Sequence, residues 1–242
     1  MVEEIYLSIV VPAYKEEKRL YKIIEAIDRY QKSHKFKVEV IIVVDGSLDK
    51  TGEVAEDLIR RVANGRVINR KQNHGKGYTV KEGVLEARGK YILFTDADNS
   101  TPLDQVGKLL SFAEKYEVVI GSRYCKGGKL GRPQPIHRLI GGRILNLVIQ
   151  LLAARGIKDT QCGFKLFERD ASKEIFKRQT FDRFSFDIEL LAIARKLGYK
   201  TKEVGITWYD DPHSTVNPIK DGLQMIKDAW KVRHNITIGK YK

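Results

Sequence analysis

Short runs dense in Val and Ile recur along the first half of the chain, each followed by a segment whose apolar residues fall three or four apart. Leu7 to Val11, Val38 to Val44, Arg66 to Asn69, Tyr91 to Thr95 and Glu117 to Ile120 predict buried parallel strands. Strands covered on both faces lose the polar alternation of half-exposed ones. Glu16 to Lys32 lines up Leu20, Ile23, Ile24 and Ile27 on one helical face, and Thr51 to Ala63 does the same with Val54, Leu58, Ile59 and Val62. Lys76 to Ala87 and Pro102 to Lys115 continue the alternation, with Thr101 predicted as N-cap and Pro102 at the first helical position. Alternating strand and helix predicts an α/β fold with a mostly parallel central sheet flanked by helices.

The second half is less regular. Lys126 to Pro135 is rich in Gly and Pro and predicts a loop, whereas Ile136 to Arg155 predicts a helix with Leu139, Ile140, Ile144, Leu147, Val148 and Leu151 apolar. Gly163 to Phe167 and Thr201 to Trp208 predict further strands, with helices at Asp170 to Phe176, Phe186 to Leu197 and Lys220 to His234. No linker, repeat or low-complexity tract interrupts the 242 residues, so the expectation is a single domain. Within it, 1–122 is the regular strand–helix half and 123–242 the less regular half, carrying an amphipathic helix at about 136–155.

Composition narrows the setting. Two cysteines, Cys125 and Cys162, offer no metal-ligand spacing and no disulfide framework. The acidic start at Glu3 and Glu4 is unlike a signal peptide, and no apolar run approaches the roughly 20 residues that span a bilayer. A cytoplasmic protein is expected. The net charge of +13 calls for an acidic partner: nucleic acid, an anionic membrane surface or a phosphorylated substrate. From Arg123 to Arg155 the chain holds seven Lys or Arg residues and no Asp or Glu. A nucleic-acid partner would explain that charge but not carboxylates at strand ends, and no nucleic-acid motif is present.

The carboxylates concentrate where open α/β sheets bind ligands, at the predicted carboxyl ends of strands. Asp96 and Asp98, one residue apart after Tyr91–Thr95, point the same way on extended backbone and suit one divalent cation or one polar ligand; a solvated turn is the plainer alternative. Asp45 follows the second strand and is placed to accept a hydrogen bond from a base N–H, while Ser47, Asp49 and Thr51 read better as turn and cap residues. Asn73-His74-Gly75-Lys76-Gly77 leads into a helix, where backbone N–H groups and an ammonium can meet an anion, although its glycine spacing is not that of a P-loop. His74 itself is expected at the surface.

Taken in order, Ile9 to Glu16, Val43-Val44-Asp45-Gly46-Ser47, Asn73 to Gly77, Asp96-Ala97-Asp98 and Gly121-Ser122-Arg123 resemble the inverting family-two glycosyltransferases of GT-A fold. Asp159 to Phe167, Phe186 to Leu191, and Glu203-Val204 with Trp208 resemble the branch of dolichyl-phosphate glucosyltransferases, with dolichyl-phosphate mannose synthases as near relatives. The likeness covers almost the whole chain. It implies that Pro12, Tyr14, Glu16 and Asp45 hold the donor's base and ribose with Lys76 near the nucleotide. It also implies that Asp96 and Asp98 form the metal motif, Asp98 the more direct ligand, and that Arg123, Arg138 and Arg143 meet the acceptor phosphate. Asp159 joins Asp96, Asp98 and Arg123 as a candidate for the catalytic centre. Two positions depart from the pattern: Val44 stands where a first Asp is common, and His213-Ser214-Thr215 lacks the lysine of a usual Gly-Ser-Lys.

The implied cofactor is Mg²⁺ or Mn²⁺, which favour all-oxygen ligation and would neutralise the leaving diphosphate. Implied partners are a nucleotide-sugar donor, UDP-glucose first and GDP-mannose second, and a polyprenyl or dolichyl phosphate acceptor. A lipid phosphate is already anionic near neutral pH and needs no general base. Arginine forks suit that phosphate, and the apolar face of 136–155 suits a peripheral seat on the cytoplasmic face of a membrane. The plainer alternatives are a core helix with a solvated basic face and a non-catalytic lipid-phosphate binder. Asp187 and Glu189 are read equally as site carboxylates or as acids favoured at a helix start.

Overall fold

The computed structural model describes residues 4–131, 136–210 and 218–242, with backbone alone at 136–140 and 218–221. Seven strands form the central sheet: β1 (Leu7–Ala13), β2 (Val38–Val44), β3 (Gly65–Asn69), β4 (Tyr91–Thr95), β5 (Val118–Ser122), β7 (Phe164–Glu168) and β8 (Thr201–Gly205). Their spatial order is β3-β2-β1-β4-β7-β5-β8. A separate two-stranded ribbon pairs β6 (Lys129–Leu130) with β9 (Thr207–Trp208). The helices are α1 (Leu20–Ser33), α2 (Thr51–Leu58), α3 (Lys76–Glu86), α4 (Val106–Leu110), α5 (Ile136–Leu152), α6 (Arg169–Arg178), α7 (Phe186–Lys196) and α8 (Pro218–Thr237).

Every residue of β1 and β2 is buried, as the near-continuous apolar runs predict. Alternate side chains feed two cores: Leu7, Ile9 and Val11 pack with α1, α2 and α4, whereas Val10, Ile41 and Val43 pack with α3, α6 and α7. β1 lies parallel to both β2 and β4. The chain winds outward from β1 in one direction to β3, then crosses to the other side with β4, so a crevice opens at the carboxyl ends of β1 and β4.

β7 is antiparallel to β4 and β5, inserted between them with Thr95 opposite Phe164. That reversal brings residues 159–163, which precede β7, to the crevice edge beside the end of β4. Three local expectations need correction. Pro102 to Lys115 is a 3-10 turn at Leu103–Gln105 followed by the short α4, and Pro102 rather than Thr101 holds the N-cap position, without a side-chain cap bond. The first helix begins at Leu20 rather than Glu16, because Glu16 is spent on a turn closed by Arg19 and Leu20 N–H groups. Thr201 to Trp208 divides at Ile206, whose N–H returns to the Ser122 carbonyl.

One buried charge locks the sheet's far end. Glu39, on β2 with no exposed side-chain surface, accepts from the Ser8 hydroxyl at 2.7 Å and from the Arg88 N–H and Nε at 3.0 and 2.9 Å. Burial opposes its charge, but the Ser8 and Arg88 donors outweigh it and hold the carboxyl below its usual range. Glu39→Leu should therefore cost about 3 kcal/mol in urea unfolding, since it strands those donors. The depressed pKa adds stability that is complete above the unfolded value of 4.5 and is lost as pH falls below it. The variant should show a shallower acid limb; an unchanged midpoint and acid limb would remove Glu39 from this role.

Candidate active site

The crevice at the β1/β4 switch point is a cleft of about 410 Å³. Its walls carry Pro12, Tyr14 and Glu16 from the end of β1, Asp45 from β2, Lys76 from α3 and Asp96 and Asp98 from β4. Four elements, with the loops that follow them, thus bring together the donor-side and metal residues expected from the sequence. Arg123, Asp159 and Arg143 lie outside that wall, while Arg138, expected from the sequence to meet the acceptor phosphate, is on α5 with its side chain outside the described residues, as are His213, Ser214 and Thr215.

Asp45 is buried, and its carboxylate is fully engaged by the protein. It accepts from Arg70 at 2.6 Å, Asn73 Nδ2 at 3.0 Å, and the His74 and Gly75 N–H groups at 2.8 Å each. The anion met by the 73–77 turn is Asp45 itself. Gly75 has φ +100, and a Cβ there would fall 2.5 Å from the Asp182 carbonyl oxygen; Gly77 is equally crowded by Phe181. These glycines let the 181–184 loop close against α3. Ser47, Asp49 and Thr51 are turn and cap residues as read: the Ser47 and Thr51 hydroxyls each donate to Asp49 at 2.6 Å, and Ser47 and Thr51 in turn accept the Lys15 and Glu16 N–H groups. His74 is exposed and stacks on Tyr78.

Lys76 Nζ meets Asp96 Oδ1 at 2.5 Å. Burial alone would depress the Lys76 ammonium, but Asp96 and Asp187, with Asp98 adding, hold it above the usual lysine range. Asp98 takes the Ser100 N–H at 2.8 Å, yet burial and then the Asp96 charge push its carboxyl upward. Glu16, gripped by Arg19 at 2.9 and 2.6 Å, is pushed up to about 7, chiefly by burial, with Asp98 and Asp96 adding to it. Three carboxylates thus crowd one cleft. No group of three or more His, Cys, Asp or Glu residues among the described residues encloses a metal by itself. The oxygen donors and their crowding nevertheless suit a hard divalent cation whose remaining ligands come from a bound phosphate.

A backstop fixes Asp96. A Cβ on Gly163 would lie 2.0 Å from Asp96 Oδ2, so glycine is what lets the carboxylate keep this position where antiparallel β7 brings that turn against it. Beneath it, Lys165 has no exposed side-chain surface, contacts Asp187 and donates to the Cys162 carbonyl at 2.6 Å. Lys165 and Lys76 lie over the same Phe94 ring, at 5.5 and 5.8 Å. Asp187 and Glu189 do open α7, but neither is a solvated dipole partner. Glu189 is buried and accepts the Thr180 and Phe181 N–H groups at 2.8 and 2.9 Å and the Tyr241 hydroxyl at 2.8 Å.

Arg123 spends its fork on Asp159, with Nε and Nη2 each at 2.7 Å, and its backbone N–H donates to the same carboxylate at 2.9 Å. Burial works against the guanidinium's charge, and Asp159 overrides it, raising its pKa. Glu203 in turn accepts the Lys158 and Asp159 N–H groups at 2.9 Å. The Arg123 plane lies 5.1 Å from the Trp208 ring and 5.3 Å from Tyr124, and exposed Arg143 lies 4.7 Å from Tyr124. Trp208 lines the cleft, so this cation–aromatic ladder runs from the cleft wall to α5. Gln105 holds the ladder's ribbon, exchanging 2.7 Å hydrogen bonds with the Thr207 backbone.

Arg183, Phe184 and Asp210 also reach the cleft and were not singled out from the sequence. Arg183 lies just before the Phe186-Asp187 motif, but nothing in local spacing shows that its loop folds back over Gly75.

The architecture and its cleft are those of a glycosyltransferase of GT-A fold. Residues 8–176 match the family described as glycosyl transferase family 2, and the chain belongs to that family. It is 35% identical to a dolichyl-phosphate beta-glucosyltransferase of Dictyostelium discoideum, over 100% of this chain and 78% of that protein. A dolichyl-phosphate beta-glucosyltransferase of Trichomonas vaginalis is 37% identical over 96% of this chain and 76% of its own length. Among solved structures, glucosyl-3-phosphoglycerate synthase from Mycobacterium tuberculosis, in complex with Mn²⁺, UDP-glucose and phosphoglyceric acid, superposes with a TM-score of 0.67. The identity there is 18%, covering 95% of this chain and 80% of that one.

Gly163→Ala tests the backstop. The displaced Asp96 carboxylate is part-exposed and can rotate away, so melting should change little, whereas transferase activity should fall at least about tenfold from misplacement alone. Wild-type activity in the folded variant would show that the position of Asp96 is not critical.

Proposed function

We propose that the enzyme transfers glucose from UDP-glucose to dolichyl or another polyprenyl phosphate, with inversion and with Mg²⁺ or Mn²⁺, while seated on the cytoplasmic face of a membrane. The observation that carries this reading is the cleft itself: Lys76, Asp96 and Asp98 converge at the switch point, and a cation–aromatic ladder leads from its wall to a basic, apolar-faced helix. The naming of the close relatives supports the sugar and the lipid phosphate. The first half, 1–122, would supply most of the donor side, and 123–242 the acceptor side together with Arg183, Phe184 and Trp208 at the cleft wall.

Pro12 and Tyr14 offer the walls for a base and ribose, and Asp45 acts by holding the 73–75 turn in place. Lys76 would meet the donor phosphate with its ammonium, which Asp96 keeps charged. Asp98 and Asp96 would hold the divalent cation, which would stabilise the charge that develops on the leaving diphosphate. The acceptor phosphate attacks the anomeric carbon directly as the sugar–phosphate bond breaks, and no base is required. Arg143 and Arg138 on α5 would draw that phosphate inward. Arg123, committed to Asp159, would act by keeping Trp208 and Tyr124 in line between the cleft and α5.

No helix among the described residues is long and apolar enough to cross a membrane. On α5, Ile144, Leu147 and Leu151 are 59%, 56% and 68% exposed, a stripe suited to the bilayer interface.

Purified protein with Mg²⁺ or Mn²⁺, dolichyl phosphate and labelled UDP-glucose should form labelled lipid. Product from GDP-mannose alone would reassign the donor, and product from neither would overturn the reaction. Asp98→Asn should lower turnover at least about a hundredfold with unchanged melting; wild-type turnover would remove Asp98 from the metal site.

A further inference from the structure

We propose that a second groove, remote from the transfer cleft, binds the phosphate headgroup of an anionic membrane phospholipid. It lies where the end of α5 meets α7 and α8, has a volume of about 410 Å³, and is lined by Arg155, Arg195, Lys196 and Arg233 beside Leu151 and Ile236. Four cations from three separate parts of the chain converge there. None has a carboxylate within 4.0 Å among the described residues, whereas Arg19, Arg66, Arg70, Arg88 and Arg123 each have one.

Arg195 and Lys196 occupy the last turn of α7, where cations complement the helix dipole. That effect does not account for Arg155 or Arg233, which come from other segments. Arg195 approaches the Arg155 carbonyl, its Nη1 donating at 3.4 Å, which ties the end of α7 to the segment that follows α5 across the groove. A site holding several guanidinium groups and no neutralising acid is built for phosphate oxygens.

Its surroundings select a lipid over a soluble phosphate. Leu151 belongs both to the groove and to the exposed stripe with Ile144 and Leu147, so the apolar line on α5 runs straight into the cationic pocket. Trp230 on α8 is 59% exposed, and indole rings favour the headgroup level of a bilayer. Acyl chains along α5 would place the attached headgroup at the four cations.

The inference rests on the membrane seat proposed above, and the test separates the two. Vesicles of phosphatidylcholine, with and without phosphatidylserine, are floated with the wild type, with Arg195→Gln/Arg233→Gln, and with the charge-matched control Lys22→Gln/Lys35→Gln. The wild type should favour phosphatidylserine. The groove variant should lose on the order of tenfold in that affinity, while the control loses far less and both keep wild-type melting. Equal losses in the two variants would reduce the effect to bulk charge and overturn the groove. Equal wild-type binding to both vesicles would overturn the groove and leave the seat standing, and no binding to either would overturn both. Inorganic phosphate should compete only weakly; full displacement would mean a soluble-anion site and contradict the lipid assignment.

Discussion

The contact between Lys76 and Asp96 is the constraint on which the site depends. An ammonium and a carboxylate at 2.5 Å must be held against rotation and against the pull of water, and groups packed behind the cleft contribute to that. Gly163 leaves no room behind Asp96, and the buried pair of Lys165 and Asp187 sets the charge beneath Lys76. Desolvating such a pair is costly, and an apolar pair of the same volume would serve stability as well or better. Its presence directly under the cleft gives it a positioning role for the charges above.

Topology explains why these groups meet. The parallel strands β1, β2 and β4 bring Glu16, Asp45 and Asp98 to one edge, and antiparallel β7 returns the 159–163 segment to the same edge. From there Asp159 reaches Arg123, and Arg123 reaches Trp208 and Tyr124, so the cleft wall and α5 are linked through contacts. The same helix, α5, carries Arg143 against Tyr124 and the exposed Leu147 and Leu151.

Much of this was legible in the chain. Buried strands such as Val38–Val44 announce themselves because both faces are covered, and Asp96 and Asp98 stand out because two acids after an apolar run are costly without a purpose. The turn chemistry of Ser47, Asp49 and Thr51 was also legible, being local. What was hidden depends on contacts distant in sequence. Asp45 looks like a ligand residue until its oxygens are seen to be filled by Arg70, Asn73, His74 and Gly75. Arg123 looks like a free phosphate fork until Asp159 claims it, and Gly163 looks like a turn residue until Asp96 is found against it. The break in Pro102 to Lys115 escaped for a different reason: its apolar spacing is helical, but Gly107 and the exchange between Gln105 and Thr207 favour shorter turns.

The most direct measurement is calorimetric titration of UDP, with Mn²⁺ present, into the wild type and into Lys165→Met/Asp187→Leu. If the buried pair orients Lys76 and Asp96, the double variant should melt close to the wild type, because apolar replacement avoids the desolvation cost, yet bind UDP about tenfold more weakly. Wild-type UDP affinity in a folded double variant would contradict the claim that this network organises the site.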